Sequence, residues 1–210
     1  METAHLLAEH LLRIKAIQLK PNEPFTWASG WKSPIYCDNR KTLSHHDVRN
    51  FIKDAFVDLI KSQFPDVQVI AGVATGAIAQ GALVANEMEL PFVYVRSEAK
   101  DHGTKRLVEG EISAGQKVVV VEDLISTGKS SLQVVNELRK ENCEVLGMVA
   151  IFSYQFPKAE SAFAEVGCKL VTLGNYESLL QHAIQTGYIT TEQEKLLASW
   201  KNSPDTWTGK

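Results

Sequence analysis

Leu6, Leu7, Leu11, Leu12 and Ile14 recur near helical spacing behind Thr3, a candidate N-cap, and Pro21 stops any helix that continues past Lys20. The stretch Phe25-Thr-Trp-Ala-Ser-Gly-Trp-Lys-Ser-Pro-Ile-Tyr-Cys37 predicts a hairpin of two short extended segments turning at Ser29-Gly30, with β-favouring aromatics on either side. Ser44, with Asp47 three residues on as in a capping box, opens a second helix that runs toward Gln63 and stops at Pro65. Then the rhythm changes. Val67 to Val73, Phe92 to Val95, Lys117 to Glu122, Val145 to Phe152 and Lys169 to Leu173 are short apolar, β-branched runs, separated by helical or loop-like sequence. Helices are predicted at about Gly76 to Met88, Thr127 to Lys140, Pro157 to Val166, Tyr176 to Gln185 and Thr190 to Trp200, and the residues from Asn202 onward are expected to fray. Strand and helix in alternation predict an α/β fold, a parallel sheet covered by helices.

A chain of 210 residues fits one domain with a sizeable core, and no repeat or long linker divides it, so the first forty residues are expected to fold onto that domain. A second catalytic domain is not expected to fit. The formal net charge of -3 gives no broad positive field, which argues against nucleic acid as a partner. The start, Met1 to Ile14, carries His5, Glu9, His10 and Arg13 among its leucines, unlike the apolar core of a signal peptide. No apolar run approaches the length of a membrane span. Cys37, Cys143 and Cys168 are odd in number and widely separated, so they are expected to be small apolar fillers in a reducing cytoplasm.

Chemistry concentrates in Val118-Val-Val-Val-Glu-Asp-Leu-Ile-Ser-Thr-Gly-Lys-Ser-Ser131, a buried strand ending in paired acids and then a small-residue turn into a helix. Carboxyl ends of strands line the ligand crevice of an open parallel sheet, so Glu122 and Asp123 are expected there. Such a pair can accept hydrogen bonds from vicinal ribose hydroxyls and steady a cationic transition state. Ser126, Thr127 and Gly128 supply donors at a helix N-terminus, where a phosphate is favoured; Lys129, Ser130 and Ser131 can add to it from the first turn. Gly128-Lys129-Ser130 mimics the end of a Walker A loop, but Asp123 stands where its first glycine belongs, and no G-x-G-x-x-G follows a strand. Gly72-Val-Ala-Thr-Gly76 forms a second candidate anion nest after the first sheet strand, or else merely allows tight strand-to-helix packing.

Val119-Val-Val-Glu-Asp-Leu-Ile-Ser-Thr-Gly-Lys-Ser130 resembles the signature with which type I phosphoribosyltransferases bind 5-phosphoribosyl 1-pyrophosphate (PRPP). The resemblance implies a central parallel sheet of about five strands flanked by helices, with a small hood subdomain built mainly from residues 1–40 of a single domain spanning 1–210. It also implies PRPP contacts from Glu122, Asp123, Leu124, Ile125, Ser126, Thr127, Gly128, Lys129 and Ser130, with Asp123 catalytic, and pyrophosphate held at Thr75 and Gly76. Tyr94-Val-Arg-Ser-Glu-Ala-Lys-Asp-His-Gly103 is similar to the catalytic loop of the orotate branch of that family, and Phe25-Thr-Trp-Ala-Ser-Gly-Trp-Lys-Ser-Pro34 to its base-binding hairpin.

In that branch the loop, here about 97–112, is a lid. Arg96, Lys100 and His102 would surround the leaving pyrophosphate, Lys100 and His102 as catalytic groups, while Tyr36 and Ser126 would border orotate. Magnesium would be carried by PRPP itself, with no dedicated protein ligands. The resemblance further implies a homodimer whose lids act across the interface. Ala28, Ser97 and Thr75-Gly76 stand where some members carry basic residues, and no arginine near Ser153-Tyr154-Gln155 can grip the orotate carboxylate, which leaves backbone donors or Lys32. Rival expectations are a PRPP-sensing regulator, which would need a nucleic-acid-binding extension that the sequence lacks, and a phosphoribosyltransferase for another base.

Overall fold

The computed structural model describes residues 2–27, 30–96 and 106–208. Its centre is a six-stranded sheet in the order β10-β9-β8-β5-β6-β7. The strands are β5 (Val69–Val73), β6 (Phe92–Val95), β7 (Val108–Glu109), β8 (Lys117–Ile125), β9 (Glu144–Ser153) and β10 (Leu170–Asn175). Five are the strands predicted from the apolar runs, and they pair in parallel. The sixth, β7, falls inside the segment assigned to the lid and runs antiparallel to β6 through Tyr94↔Glu109 and Val95↔Val108. A two-residue strand carries too little alternation to show in the sequence.

Strands covered on both faces need no alternation, and β5 is buried at every position, while Val118 to Val121 of β8 have no exposed surface at all. Each such side chain stabilises the fold by about 1.5–3 kcal/mol relative to exposure. Around the sheet lie α1 (Glu2–Arg13), α2 (His46–Gln63), α3 (Ile78–Glu87), α4 (Lys129–Lys140), α5 (Pro157–Glu165), α6 (Tyr176–Gln185) and α7 (Thr191–Asn202). Pro157 opens α5, and Asn175 and Thr190 close capping boxes at α6 and α7. Among the described residues no helix is long and apolar enough to cross a membrane.

The N-terminal region departs from expectation in detail. Thr3 lies inside α1, which ends at Arg13, and Lys15 follows with a left-handed φ of 55°. The chain then forms β1 (Ile17–Leu19), which pairs antiparallel with β4 (Ile35–Cys37), while β2 (Phe25–Thr26) and β3 (Lys32–Ser33) make the predicted hairpin. Ser44 does not cap α2. It ends a 3₁₀ helix, Asn39–Ser44, and His45 takes the N-cap position without a side-chain bond. Asp47 pairs with Arg13 instead, tying α1 to α2. The tail does not fray at Asn202: Trp207 is buried and its Nε1 donates to Ser199 Oγ at 3.0 Å.

Strand order fixes where a ligand crevice opens. From β5 the chain moves outward to β6 and β7, then returns to the other side of β5 as β8. The connections leaving β5 and β8 diverge at their carboxyl ends, which is the switch point at which open α/β sheets bind ligands.

Candidate active site

Gly76, just past β5 and after Thr75, meets Asp123 of β8 at that point. A Cβ built on Gly76 would lie 2.4 Å from Asp123 Oδ2, so the loop after β5 rests directly on the carboxylate and only glycine fits. The Ala74–Thr75 peptide is cis, and Ala74 donates its N–H to Val95 at 2.9 Å. Glu122 is 4% exposed; it accepts the Ser131 hydroxyl at 2.8 Å and the Asp123 N–H at 2.9 Å. Burial first, and then the adjacent Asp123 charge, push the Glu122 carboxyl up to about 8, so the ligand-free pair holds a proton at neutral pH. Two acids here are costly without a cationic or hydroxyl-bearing ligand to face. Ser131, expected to serve the phosphate, is committed to Glu122.

Beyond the acids, Leu124 and Ile125 complete β8, and Ser126, Thr127 and Gly128 form the turn into α4. The helix begins at Lys129, two residues later than expected. Gly128 sits at its N-cap with φ of 78°, and no side chain caps the first turn. The N-terminal N–H groups of α4 are therefore left for an anion to engage beside the acid pair, with Lys129 and Ser130 exposed in the first turn.

Next to this turn is a cleft of about 320 Å³ lined by Thr26, Trp27, Tyr36, Cys37, Leu124, Ser126 and Tyr154. Tyr36 and Ser126, 90 residues apart in sequence, thus meet at one pocket, and Ser126 also belongs to the anion turn. The pocket is mostly apolar with a few polar groups, suited to a planar ring. Its back wall is an aromatic cluster: Trp27 lies 5.5 Å from Tyr154 and 5.6 Å from Trp200 of α7, and its Nε1 donates to the Ile35 carbonyl at 3.2 Å. Burial raises the Tyr154 phenol well above its ordinary range, which keeps it neutral. No cation lines the cleft among the described residues, but Lys32 Nζ reaches Thr26 Oγ1 at 2.8 Å on its edge.

Arg96 stands at the end of β6, where its N–H donates to Leu107 at 3.0 Å and its guanidinium lies 3.6 Å from Glu109. Lys100 and His102 lie outside the described residues. Trp27 stands in the hairpin, and Tyr154 in the segment, that the family resemblance assigns to the base, whereas Cys37 was not predicted to line a pocket and is more than a filler. Its thiol donates to Asn39 Oδ1 at 3.3 Å, and Asn39 Nδ2 donates to the Asp123 carbonyl at 2.6 Å. The hairpin resemblance and the Ser153-Tyr154-Gln155 segment pointed to this wall; nothing in the spacing marks Asn39.

Residues 42–176 match the model of the phosphoribosyl transferase domain. Over 206 residues, covering 98% of this chain and 97% of the relative, the sequence is 59% identical to an orotate phosphoribosyltransferase of Bacteroides fragilis. The fold superimposes on an orotate phosphoribosyltransferase of Aeropyrum pernix with a TM-score of 0.76 at 28% identity, covering 88% of this chain and 99% of that one. A Mycobacterium tuberculosis orotate phosphoribosyltransferase in complex with PRPP gives 0.65 at 25% identity, covering 84% and 98%. With an acid pair, an anion turn and a ring-sized cleft in one crevice, and with near full-length identity of this order, the chain belongs to the orotate phosphoribosyltransferase family.

Proposed function

We propose that the protein joins orotate to the ribose of PRPP, releasing pyrophosphate and forming orotidine 5'-phosphate, a step of pyrimidine synthesis. The observation that carries this is the shared segment Leu124–Ser126, which borders the ring-sized cleft on one side and leads into the α4 anion turn on the other. A base in the cleft and a sugar phosphate on the turn would be held by one rigid strand end, which supplies the orientation that transfer between them requires.

In this arrangement the 5'-phosphate occupies the turn Ser126–Ser130, and Glu122 and Asp123 face the ribose hydroxyls. The bond from C1' to the diphosphate oxygen breaks with its electrons on the diphosphate, and orotate N1 bonds C1' while its proton passes to the departing diphosphate. Asp123 stabilises the positive charge that develops on the ribose ring. Thr75 and Gly76 hold the diphosphate, and Arg96 at the end of β6 neutralises it together with Lys100 and His102 of the lid. A magnesium ion would be carried in by PRPP itself, with no dedicated protein ligand, and would supply further charge neutralisation to the leaving group. The whole chain acts as one unit with residues 1–40 as its hood, in a cytoplasmic homodimer whose lids serve the partner's site. Purified protein with PRPP and magnesium, tested against orotate, uracil, hypoxanthine and adenine by base absorbance, should consume orotate alone. Consumption of another base in its place would overturn the proposal.

A further inference from the structure

Asn39 belongs to none of the segments assigned to substrate, yet its side chain joins the two halves of the site. It is 2% exposed, at the first position of the 3₁₀ helix. Its Nδ2 donates to the Asp123 carbonyl at 2.6 Å, its Oδ1 accepts the Cys37 thiol at 3.3 Å, and its own carbonyl accepts the Thr42 hydroxyl at 2.6 Å. The amide orientation is fixed from both ends. A carbonyl oxygen only accepts, so the NH₂ must face Asp123. Burial, with Asp123 and Asp38 nearby, pushes the Cys37 thiol up, so it stays protonated and donates to the amide oxygen.

Pairing between β5 and β8 ends at Gly72↔Val121, two residues before Asp123. The acid therefore sits beyond the last rung that β5 provides, and the 3₁₀ helix packs against β8 there. Cys37, at the other end of the amide, lines the cleft. We propose that Asn39 is a positioning residue for the transfer: it fixes the backbone of Asp123 so that the carboxylate meets the ribose, and it ties that carboxylate to the wall of the base pocket. It touches no substrate itself.

Its role presupposes the orotate transfer proposed above, and wild-type turnover of orotate is the control that separates the two: if wild type is inactive, that proposal fails first. Single-turnover rates at saturating orotate and PRPP, with the dissociation constants of both, should be measured for Asn39→Ala and Asn39→Leu. Asn39→Leu keeps a branched side chain in the buried position but has no donor for the Asp123 carbonyl, so it covers the case in which the alanine variant does not fold. The expected result for both is a rate about tenfold or more below wild type, with each dissociation constant within about twofold, as misplacement of a reacting group affects the rate before it affects affinity. A wild-type rate in a folded variant overturns the assignment, whether or not melting temperature or affinity has fallen, because a purely structural tie would change those alone.

Discussion

Replacing Glu122 by glutamine should make the ligand-free protein more stable above neutral pH while disabling it. The carboxyl rises from an ordinary 4.5 to about 8 because it is buried beside Asp123. The folded state then binds this proton more tightly than the unfolded chain does. Its contribution is fully present below pH 4.5 and is lost as pH climbs toward 8. At about 1.4 kcal/mol per tenfold in proton affinity, the rise costs on the order of 4–5 kcal/mol of stability by pH 8. Glutamine imitates the protonated acid: its oxygen can still accept the Asp123 N–H, and its amide can donate to the Ser131 hydroxyl in place of the bond at 2.8 Å. Urea unfolding of wild type and Glu122→Gln between pH 5 and 8.5 should therefore give near-equal stabilities at the acid end and curves that diverge as pH rises, the variant flatter. Its turnover should fall about 10²-fold if, as proposed, this carboxylate serves the ribose. Parallel pH curves would refute the reasoning, because they would mean that Glu122 is ionised in the folded protein throughout.

Gly76→Ala places a Cβ 2.4 Å from Asp123 Oδ2, so the carboxylate must swing away; kcat/KM for PRPP should drop about 10- to 100-fold with an unchanged circular dichroism spectrum. Gly128→Ala meets both a φ of 78° and a ring carbon of Phe163 at 3.0 Å, and should lose about 1–3 kcal/mol in denaturant unfolding together with PRPP affinity. Lys32→Met removes the cation at the Thr26 edge of the cleft, and KM for orotate should rise about tenfold with that for PRPP unchanged; an unchanged orotate KM would assign the carboxylate to backbone donors. Lys100→Ala and Asp123→Asn should each reduce turnover about 10²-fold or more, while their equal mixture should recover about a quarter of wild-type activity if lids cross a dimer interface, and nothing if they do not.

The sheet was legible because strands buried on both faces are written as unbroken β-branched runs, as Val118 to Val121 show. The anion turn was legible because its donors are contiguous. What the sequence concealed is held by short or distant contacts. β1 and β7 are three and two residues long, below any periodicity. Ser44 and Asp47 carry the residue types of a capping box, yet a 3₁₀ helix occupies the first and Arg13 engages the second, so tertiary partners override the local pattern. Glu122 and Asp123 are adjacent letters, but only the structure shows that one is locked to Ser131 and the other lies against Gly76. The cleft was half legible: Tyr36 and Ser126 both line it, whereas the Trp200 behind Trp27 comes from an element with no local motif.

That division follows from how the site is assembled. Thr75, Gly76, Arg96 and Glu122 to Ser130 all fall within the phosphoribosyl transferase domain at 42–176, whereas Thr26, Trp27, Tyr36, Cys37 and Asn39 precede it and Trp200 follows it. The grip on a sugar phosphate needs only backbone donors and acids at one switch point, so it can be carried by a contiguous strand, turn and helix. A wall for a planar base needs area, and here the first and last parts of the chain provide it by packing Trp27 edge-on to Trp200. The cleft is thus shared between Leu124, Ser126 and Tyr154 of the domain and flanking segments that fold against it. Substitutions in α7 that never approach the substrate should act on the base site through that ring contact before they act on the sugar phosphate site.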